Sequence, residues 1–496
     1  MKFSMKVSFL PRPTVNVQNP DLDSLTIETW GAIERANNSP ELFQCEGVVV
    51  NVPMAASDGS RRCREASVNV FRWWLLRKIA FIKINKKDET EEVTRPPADL
   101  YPNLLVTPNP PLPRLLGVVA YPIFAPDGAL QTTKGYSTQT CFIYAPPVGF
   151  KLPPIPSNPS PDQIEHAKKM ILTELLGDFP FDNGSSRAHA LAALLLPFVR
   201  RMIDGATPLH MISKPKAGTG ATLLAEMLTH VSCGLPSTIT MPKDEEERRR
   251  TLLSTLRDLP TAVLLDNALR LEGAALAQCL TQTYYQDRLI GTSGNLRVPN
   301  QCVWLATGNN PILSDEIARR VVWIHMDAKC EHPDLRDDFR HPDLFAWATA
   351  HREILVASVL TLIQAWIAAG RPHGTKTLGK FESWTKTMGG IFEVIGVDGF
   401  LEHVMEFRGQ VDAETSAFRV FVDAWSKKHG ATEVAVGQLM AYTAGLDLGS
   451  GDRRRMAIRL GRMISERKGQ VFGAWTVEKG GLSSGYQQWR LKRISK

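Results

Sequence analysis

The stretch PKAGTGAT, residues 215–222, lies between an apolar run of strand length and a helical pattern. A glycine-rich loop that joins a strand to a helix can turn backbone N–H groups towards phosphate oxygens, and the helix N-terminus favours negative charge. Gly218 and Gly220 provide the backbone freedom around Thr219, and the hydroxyl of Thr222 stands where it could hold Mg²⁺. The stretch therefore predicts a phosphate-binding loop in an α/β domain.

Two positions of this loop depart from the common phosphate-loop pattern G-x-x-x-x-G-K-[ST]. Pro215 stands in place of the first glycine, and Ala221 stands in place of the lysine that neutralises the β- and γ-phosphates. Lys214 or Lys216 could supply the missing positive charge from the other side of the loop. Sequence spacing leaves the choice between them open.

Polar residues follow two later apolar strands. Asp266 and Asn267 end the run that starts at residue 262, and Asn309 and Asn310 end the run that starts at residue 303. The carboxylate of Asp266 can fix Mg²⁺, and the amides can orient a water molecule near a γ-phosphate. Asn267 occupies the place of a second acid that would act as general base. Arg319 lies further on, in a short helical segment.

Strand-length runs alternate with helical segments between residues 205 and 330, which favours a parallel sheet covered by helices. We predict an α/β chain with a mixed α+β N-terminal accessory domain, a phosphate-loop core, a helical lid and a C-terminal winged helix. The predicted boundaries are 1–160 for the accessory domain with its proline-rich linker, 161–205 for a helical segment, 206–330 for the core, 331–413 for the lid and 414–496 for the winged helix.

These elements, in this order and spacing, resemble the AAA+ ATPases, above all the superfamily III and minichromosome-maintenance-like helicases of phages, plasmids and integrated elements. The resemblance covers about residues 160 to 496. It implies ATP and Mg²⁺ as cofactors, with Mg²⁺ held by Thr222 and Asp266. Residue by residue, it implies a Walker A loop at Gly218, Thr219, Gly220 and Thr222, a Walker B acid at Asp266, sensor 1 at Asn309 or Asn310, and an arginine finger at Arg319.

The same resemblance implies a ring, with hexamer as the expected number, and a hairpin over residues 287–299 that reaches DNA through Arg297. The function it implies is ATP-dependent translocation on, or unwinding of, single-stranded or forked DNA in the replication of a mobile element. Ala221 and Asn267 favour the alternative of a DNA-binding initiator or assembly protein that hydrolyses ATP weakly or not at all. A small-molecule kinase would leave the basic C-terminus without a role.

The C-terminal segment carries an excess of positive charge. Residues 452–496 contain twelve Lys or Arg against three acidic residues, whereas the whole chain has a net charge of only +7. A basic module on a near-neutral body indicates a polyanionic partner. We expect DNA contacts from one face of a recognition helix and from the last strand, namely Arg455, Arg459, Arg462, Arg490, Lys492 and Arg493.

Amino-acid composition argues against a membrane protein and against a protein stabilised by disulfides or zinc. The chain has no uninterrupted apolar run of the roughly 20 residues that cross a bilayer, so we expect no membrane partner. Its seven cysteines are dispersed without a C-x-x-C pair, which argues against a disulfide framework or a zinc ribbon. We expect a cytoplasmic protein.

Overall fold

The computed structural model describes residues 12–53, 63–85, 88–288, 295–402, 413–446, 448, 452–483 and 486–494. The chain divides into two compact units, Met1–His403 and Val404–Lys496. The first contains the phosphate loop and the second contains the basic C-terminal segment. Each unit is described by itself.

The first part of unit one is a mixture of short strands and helices. Helix α1 begins after Asp21, whose side chain accepts from two backbone N–H groups, and α2 begins after Ser67, whose side chain accepts from the backbone N–H of Val70. Their apolar faces cover a core that includes Trp30 and Trp74. The helices are α1 (Leu22–Ala36), α2 (Val68–Lys78) and α3 (Leu100–Leu105). The strands are β1 (Thr14–Asn16), β2 (Leu42–Cys45), β3 (Val48–Asn51), β4 (Arg64–Glu65), β5 (Ala80–Ile84), β6 (Glu91–Val93), β7 (Gly117–Val119), β8 (Ile123–Phe124), β9 (Leu130–Gln131), β10 (Gly135–Ser137) and β11 (Phe142–Tyr144).

A helical segment leads from this part into the core. Helix α4 (Pro161–Lys168) starts with a capping box formed by Ser160 and Gln163, and a π-helical stretch (Lys169–Leu175) continues it. The helical conformation then ends, and a non-helical segment precedes α5 (Gly184–Val199). The helical segment predicted over residues 161–205 is therefore interrupted, and the interruption contains Pro180.

Five of the described strands form the parallel sheet that the sequence predicts. Their order is β13-β14-β18-β12-β20, and every pairing in it is parallel. The strands of this region are β12 (Leu209–Lys214), β13 (Ser237–Ile239), β14 (Ala262–Leu265), β15 (Arg270–Leu271), β16 (Tyr284–Arg288), β17 (Asn295–Pro299), β18 (Val303–Asn309), β19 (Ile312–Leu313) and β20 (Val321–His325). The helices are α6 (Ala221–His230), α7 (Glu245–Arg257), α8 (Ala274–Cys279) and α9 (Asp315–Ala318).

The last part of unit one is helical. It contains α10 (Leu344–Ala350), α11 (Arg352–Ala368) and α12 (Glu382–Ile395), and Gly396 ends α12 in a left-handed conformation. Residues 344–368 of the predicted lid form two helices, α10 and α11, and not one long helix. Within the described residues no single helix is long and apolar enough to cross a membrane. Helices α10 and α11 together have the length and apolar composition of a membrane span, but the pair is bent by 74° between them.

In the described residues of unit two, three α-helices pack against a small sheet. The helices are α13 (Ala413–His429), α14 (Val436–Leu439) and α15 (Arg453–Glu466), and the strands are β21 (Val434–Ala435), β22 (Val471–Phe472), β23 (Trp475–Ser483) and β24 (Tyr486–Arg493). The sheet order is β21-β24-β23-β22. Gly480 and Gly481 do not form a turn between strands but lie inside β23 at a register shift, where Gly481 N donates to the carboxylate of Glu433 at 2.8 Å.

Candidate nucleotide site

The predicted site residues gather at one edge of the parallel sheet. The phosphate loop follows β12, Asp266 follows β14, and β18 lies between these two strands and ends at Asn309. Because the carboxyl ends of parallel strands open onto the same edge, three segments distant in sequence meet there.

The carboxylate of Asp266 is the centre of a hydrogen-bond cluster. Its Oδ1 accepts from the hydroxyls of Thr222 at 3.1 Å and Thr307 at 2.6 Å, and its Oδ2 accepts from the side-chain amide of Asn267 at 3.0 Å. The hydroxyl oxygen of Thr307 in turn accepts from the backbone N–H of Asn267 at 2.9 Å. These donors hold the carboxylate beside the start of α6.

Sequence reasoning did not single out Thr307. It is a buried threonine in the middle of an apolar strand, where a β-branched residue is the ordinary choice. The signal that could have identified it is its position two residues before Asn309, since side chains at that spacing lie on the same face of a strand.

The phosphate loop has the backbone conformation that its glycines allow. Gly218 and Gly220 have φ values of +80° and +91°, which other residues adopt at a cost. The hydroxyl of Thr219 closes the loop by donating to the carbonyl of Lys216 at 2.7 Å. A Cβ atom on Gly218 would lie only 2.9 Å from the Cβ of Asp334, so this position also requires a glycine for lack of space.

The residues around the missing lysine differ in exposure. Ala221 is completely buried at the start of α6. Lys216 is exposed, and its ammonium donates to the carbonyl of Cys330 at 3.3 Å, on the segment that follows β20. Lys214 is half-buried at the end of β12. The two lysines that could replace the missing charge therefore lie on different elements, Lys214 at the end of β12 and Lys216 in the loop itself.

Asn309 and Asn310 tie the end of β18 to the start of the phosphate loop. With its amide nitrogen oriented as donor, Asn309 donates to the carbonyls of Lys214 and Pro215, both at 2.8 Å. The backbone N–H of Asn310 donates to the carbonyl of Lys214 at 3.0 Å. Their contacts place both amides next to the loop, where sensor 1 was expected.

The paired arginines after α9 have different surroundings. Arg320 is nearly buried, with 12% of its side chain exposed, and lies 3.5 Å from Glu316. Arg319 is 63% exposed and lies 4.0 Å from the same carboxylate. Of the two, Arg319 presents its guanidinium to the surface.

An apolar pocket of about 230 Å³ adjoins the phosphate loop. Gly218, Thr219 and Gly220 form one wall, and Phe179 and Leu223 contribute apolar surface. Other lining side chains include Phe339, Pro342 and Arg336, whose guanidinium lies 5.1 Å from the ring centre of Phe339. The sequence did not indicate this pocket, because its walls come from three separate segments, residues 178–180, 218–223 and 328–344.

Strands β16 and β17 pair antiparallel, residues 284–288 with residues 295–299, where the sequence predicts a hairpin over residues 287–299. The residues between the two strands, 289–294, lie outside the described part of the chain. Arg297 lies over the ring of Tyr284, 4.1 Å from its centre, and 3.9 Å from the carboxylate of Glu46 in the N-terminal part. Arg297 is thus held at the base of the hairpin, with about half of its side chain exposed.

The six basic residues predicted as DNA contacts in unit two are all exposed. Arg459 donates to the carbonyl of Leu448 at 2.6 Å, Arg490 pairs with Glu478 at 2.9 Å and Glu433 at 3.9 Å, and Lys492 pairs with Glu478 at 3.4 Å.

Comparison with known proteins gives distant likenesses of fold. No protein-family model matches the chain, and no curated protein matches it in sequence. Among solved structures, the A-form apo structure of the NrS-1 C-terminal region matches with 10% identity over 89% of this chain and 96% of that chain, at a TM-score of 0.38. The active helicase Cch of SCCmec type IV matches with 11% identity over 90% of each chain, at 0.37. The JCV helicase matches with 12% identity over 52% of this chain and 70% of that chain, at 0.20. The interpretation of the site rests on its own geometry.

Proposed function

We propose that this chain is an ATP-dependent DNA helicase or translocase that acts as a hexameric ring in the replication of a mobile element. The observation that carries the proposal is the cluster at the sheet edge, where Asp266 accepts hydrogen bonds from Thr222 at the end of the phosphate loop and from Thr307. A carboxylate and a hydroxyl beside a glycine-rich loop at a helix N-terminus suit a magnesium nucleotide.

The residues present fit that cofactor in their chemistry. Thr222 and Asp266 offer the oxygen ligands that Mg²⁺ prefers, and the N–H groups of residues 218–222 would bind phosphate oxygens. The apolar pocket next to the loop would take the nucleoside. Bound Mg²⁺ would neutralise the negative charge that develops on phosphate oxygens during phosphoryl transfer. Asn309 and Asn310 would orient the attacking water.

Other residues would contact the neighbouring subunit and the DNA. Arg319, exposed at the end of α9, would reach the nucleotide of an adjacent subunit, which requires a ring. The hairpin and unit two would contact DNA. Sedimentation in the presence of an ATP analogue and DNA tests the ring: we expect an oligomer, and monomers under every condition would contradict it.

A second function is favoured by a specific observation. Asn267 cannot accept a proton as a carboxylate does, and its amide donates to Asp266 instead of presenting a base to water. Together with the buried Ala221, this supports a nucleotide-gated DNA-binding initiator or assembly protein that turns over slowly or not at all.

ATP turnover of four proteins decides between these functions. One lost charge-assisted contact to phosphate costs about 1.5 to 3 kcal/mol, or roughly ten- to a hundred-fold in rate or affinity. If Lys214 or Lys216 supplies the missing charge, Lys214→Ala or Lys216→Ala will reduce turnover by that factor and Ala221→Lys will change little. If neither does, Ala221→Lys will raise turnover or affinity.

Turnover is measured with and without single-stranded and forked DNA, together with equilibrium binding of ATP. Lys83→Ala, on the exposed side of β5, is the matched control and should equal the parent. Binding of ATP without turnover in all four proteins would establish the second function. Absence of both binding and turnover would refute the nucleotide site.

A further inference from the structure

A second large groove lies on the helical part of unit one, away from the phosphate loop. Its volume is about 770 Å³, and it lies between residues 202–205, the end of α11 and the start of α12. We call it the lid groove. Its charged and ionisable lining residues are the cations Arg371, Lys380 and Lys386, together with His373, and the acids Asp204 and Glu382.

The cations of the lid groove are accessible, and one of its acids is engaged. Arg371, Lys380 and Lys386 are exposed. The carboxylate of Glu382 accepts from the backbone N–H of Lys380 at 3.1 Å, a contact that fixes it at the start of α12. Glu382 keeps its negative charge in this contact, so with Asp204 the groove holds three cations against two carboxylates, and the remaining excess of positive charge favours an anionic ligand.

The loop that carries Arg371 and His373 is held directly against α12. The N–H of Gly374 donates to the carbonyl of Lys386 at 2.9 Å. A Cβ on Gly374 would lie 2.4 Å from the Cα of Gly389, so the two backbones touch with no room for side chains. This contact fixes the backbone of the loop beside Lys386, which reduces the ordering cost of binding.

Two of the cations occupy strained backbone positions. Arg371 and Lys380 have φ values of +58° and +73°, a region where glycine is the least costly residue. The backbone therefore does not explain why arginine and lysine occupy these positions. Strained residues often mark functional sites, and here both side chains border the same groove.

The lid groove adjoins a groove at the hairpin. That hairpin groove, of about 750 Å³, is lined by amide and hydroxyl side chains, by the basic side chains of Arg288 and Arg297, and by one acid, Asp287. Gly205 borders both grooves. Gly205 precedes the amino end of β12, so both grooves lie at the sheet edge opposite the phosphate loop.

We propose that the lid groove binds the sugar–phosphate backbone of a single nucleic-acid strand whose adjoining nucleotides contact the hairpin groove. This rests on the proposed function, since it extends the DNA path of the hairpin onto the lid. A basic groove next to amide and hydroxyl groups is suited to an unpaired strand, whose backbone is tracked by charge. The strand would run along one edge of the sheet while the nucleotide lies at the other.

The test measures binding of the full chain to a fluorescently labelled oligothymidine over a series of NaCl concentrations. The variant is the double substitution Lys380→Ala with Lys386→Ala. Because each phosphate contact on a single strand contributes about 0.7 to the slope of log K against log salt, we expect the slope to fall by about 1.4. Affinity at low salt should fall several-fold.

Lys376→Ala is the matched control, because Lys376 is an exposed lysine on the same loop that does not line the groove. It should keep the parental slope, and thermal unfolding checks that all variants fold. Arg371→Ala is an independent variant and should lower the slope by about 0.7. Parental slopes in both groove variants would overturn the proposal, as would an equal loss in Lys376→Ala.

Two further measurements separate this proposal from others. A slope change on duplex DNA with none on oligothymidine would overturn the assignment to a single strand. ATP binding, measured without DNA, tests the proposed function independently: a parent that binds oligothymidine through the lid groove but binds no ATP would refute the nucleotide site and leave the groove assignment standing.

Discussion

Short sequence signals predict two regions, the carboxyl edge of the parallel sheet and the basic surface of unit two. In the structure the predicted residues of these two regions have different contacts. At the sheet edge, the predicted residues contact one another, as Thr222, Asp266 and Asn267 do. In unit two, some of the predicted cations contact acids of their own sheet, as Arg490 does with Glu478.

The difference follows from what each signal contains. A motif at the end of a buried strand specifies a position, because parallel strands deliver their ends to a common edge. A count of charges specifies only composition. Carboxylates on the neighbouring strand reduce the positive charge that is available to a polyanion, as Glu478 does for Arg490 and Lys492. The order of motifs is therefore the stronger predictor of a site, and the charge excess is the stronger predictor of a partner class.

The largest effect is expected at the sheet edge. Asp266→Asn preserves shape but removes the negative charge that would hold Mg²⁺, so ATP turnover should fall by about a hundred-fold or more. Steady-state turnover against Mg²⁺ concentration measures it. Asp162→Asn, on the exposed face of α4, is the control. Unaltered turnover in Asp266→Asn would show that the sheet edge is not the catalytic centre.

A smaller effect is expected for the residue that only the structure revealed. Thr307→Val keeps the volume but removes the hydroxyl that joins Asp266 to Asn267, and we expect turnover to fall about ten-fold, with a loss of about 1 to 2 kcal/mol in stability. Turnover and urea unfolding measure the two effects.

Thr361→Val is the matched control, because the Thr361 hydroxyl donates only within its own helix, to the carbonyl of Ala357. It should lose stability without losing turnover. If both variants lose turnover equally, the effect of Thr307 is structural and its link to Asp266 has no role in catalysis.

The smallest effect is expected in unit two. The hydrogen bond from Arg490, together with Lys492, lowers the pKa of Glu478 below its ordinary value, so Glu478 is ionised at neutral pH. Glu478→Gln should release Lys492 and leave Arg490 with Glu433 alone, raise duplex affinity a few-fold and steepen the salt slope by about 0.9 to 1.8. Salt-dependent binding of a labelled duplex measures it.

Glu165→Gln, which removes the exposed partner of Lys168 in unit one, is the control for a change of net charge alone. A salt slope that is the same in Glu478→Gln and in the parent would show that the β24 cations do not meet phosphate, leaving the exposed face of α15 to carry the DNA contact.

By itself, the sequence determined the elements whose signals are local. The parallel sheet follows from the alternation of strand and helix patterns, the loop follows from Gly218 and Gly220, and the helix starts follow from capping residues such as Ser160. These features depend on residues within one turn or one strand of each other, so spacing along the chain suffices to predict them.

Only the tertiary structure decided which side chains meet. It joined Thr307 to Asp266 across 41 residues, held Arg297 beside Glu46, paired Arg490 with Glu478 on the neighbouring strand, and assembled the lid groove from residues 204, 371 and 386. The physical reason is that strand order and helix packing bring distant segments together, while residue type and spacing record only what each segment can offer.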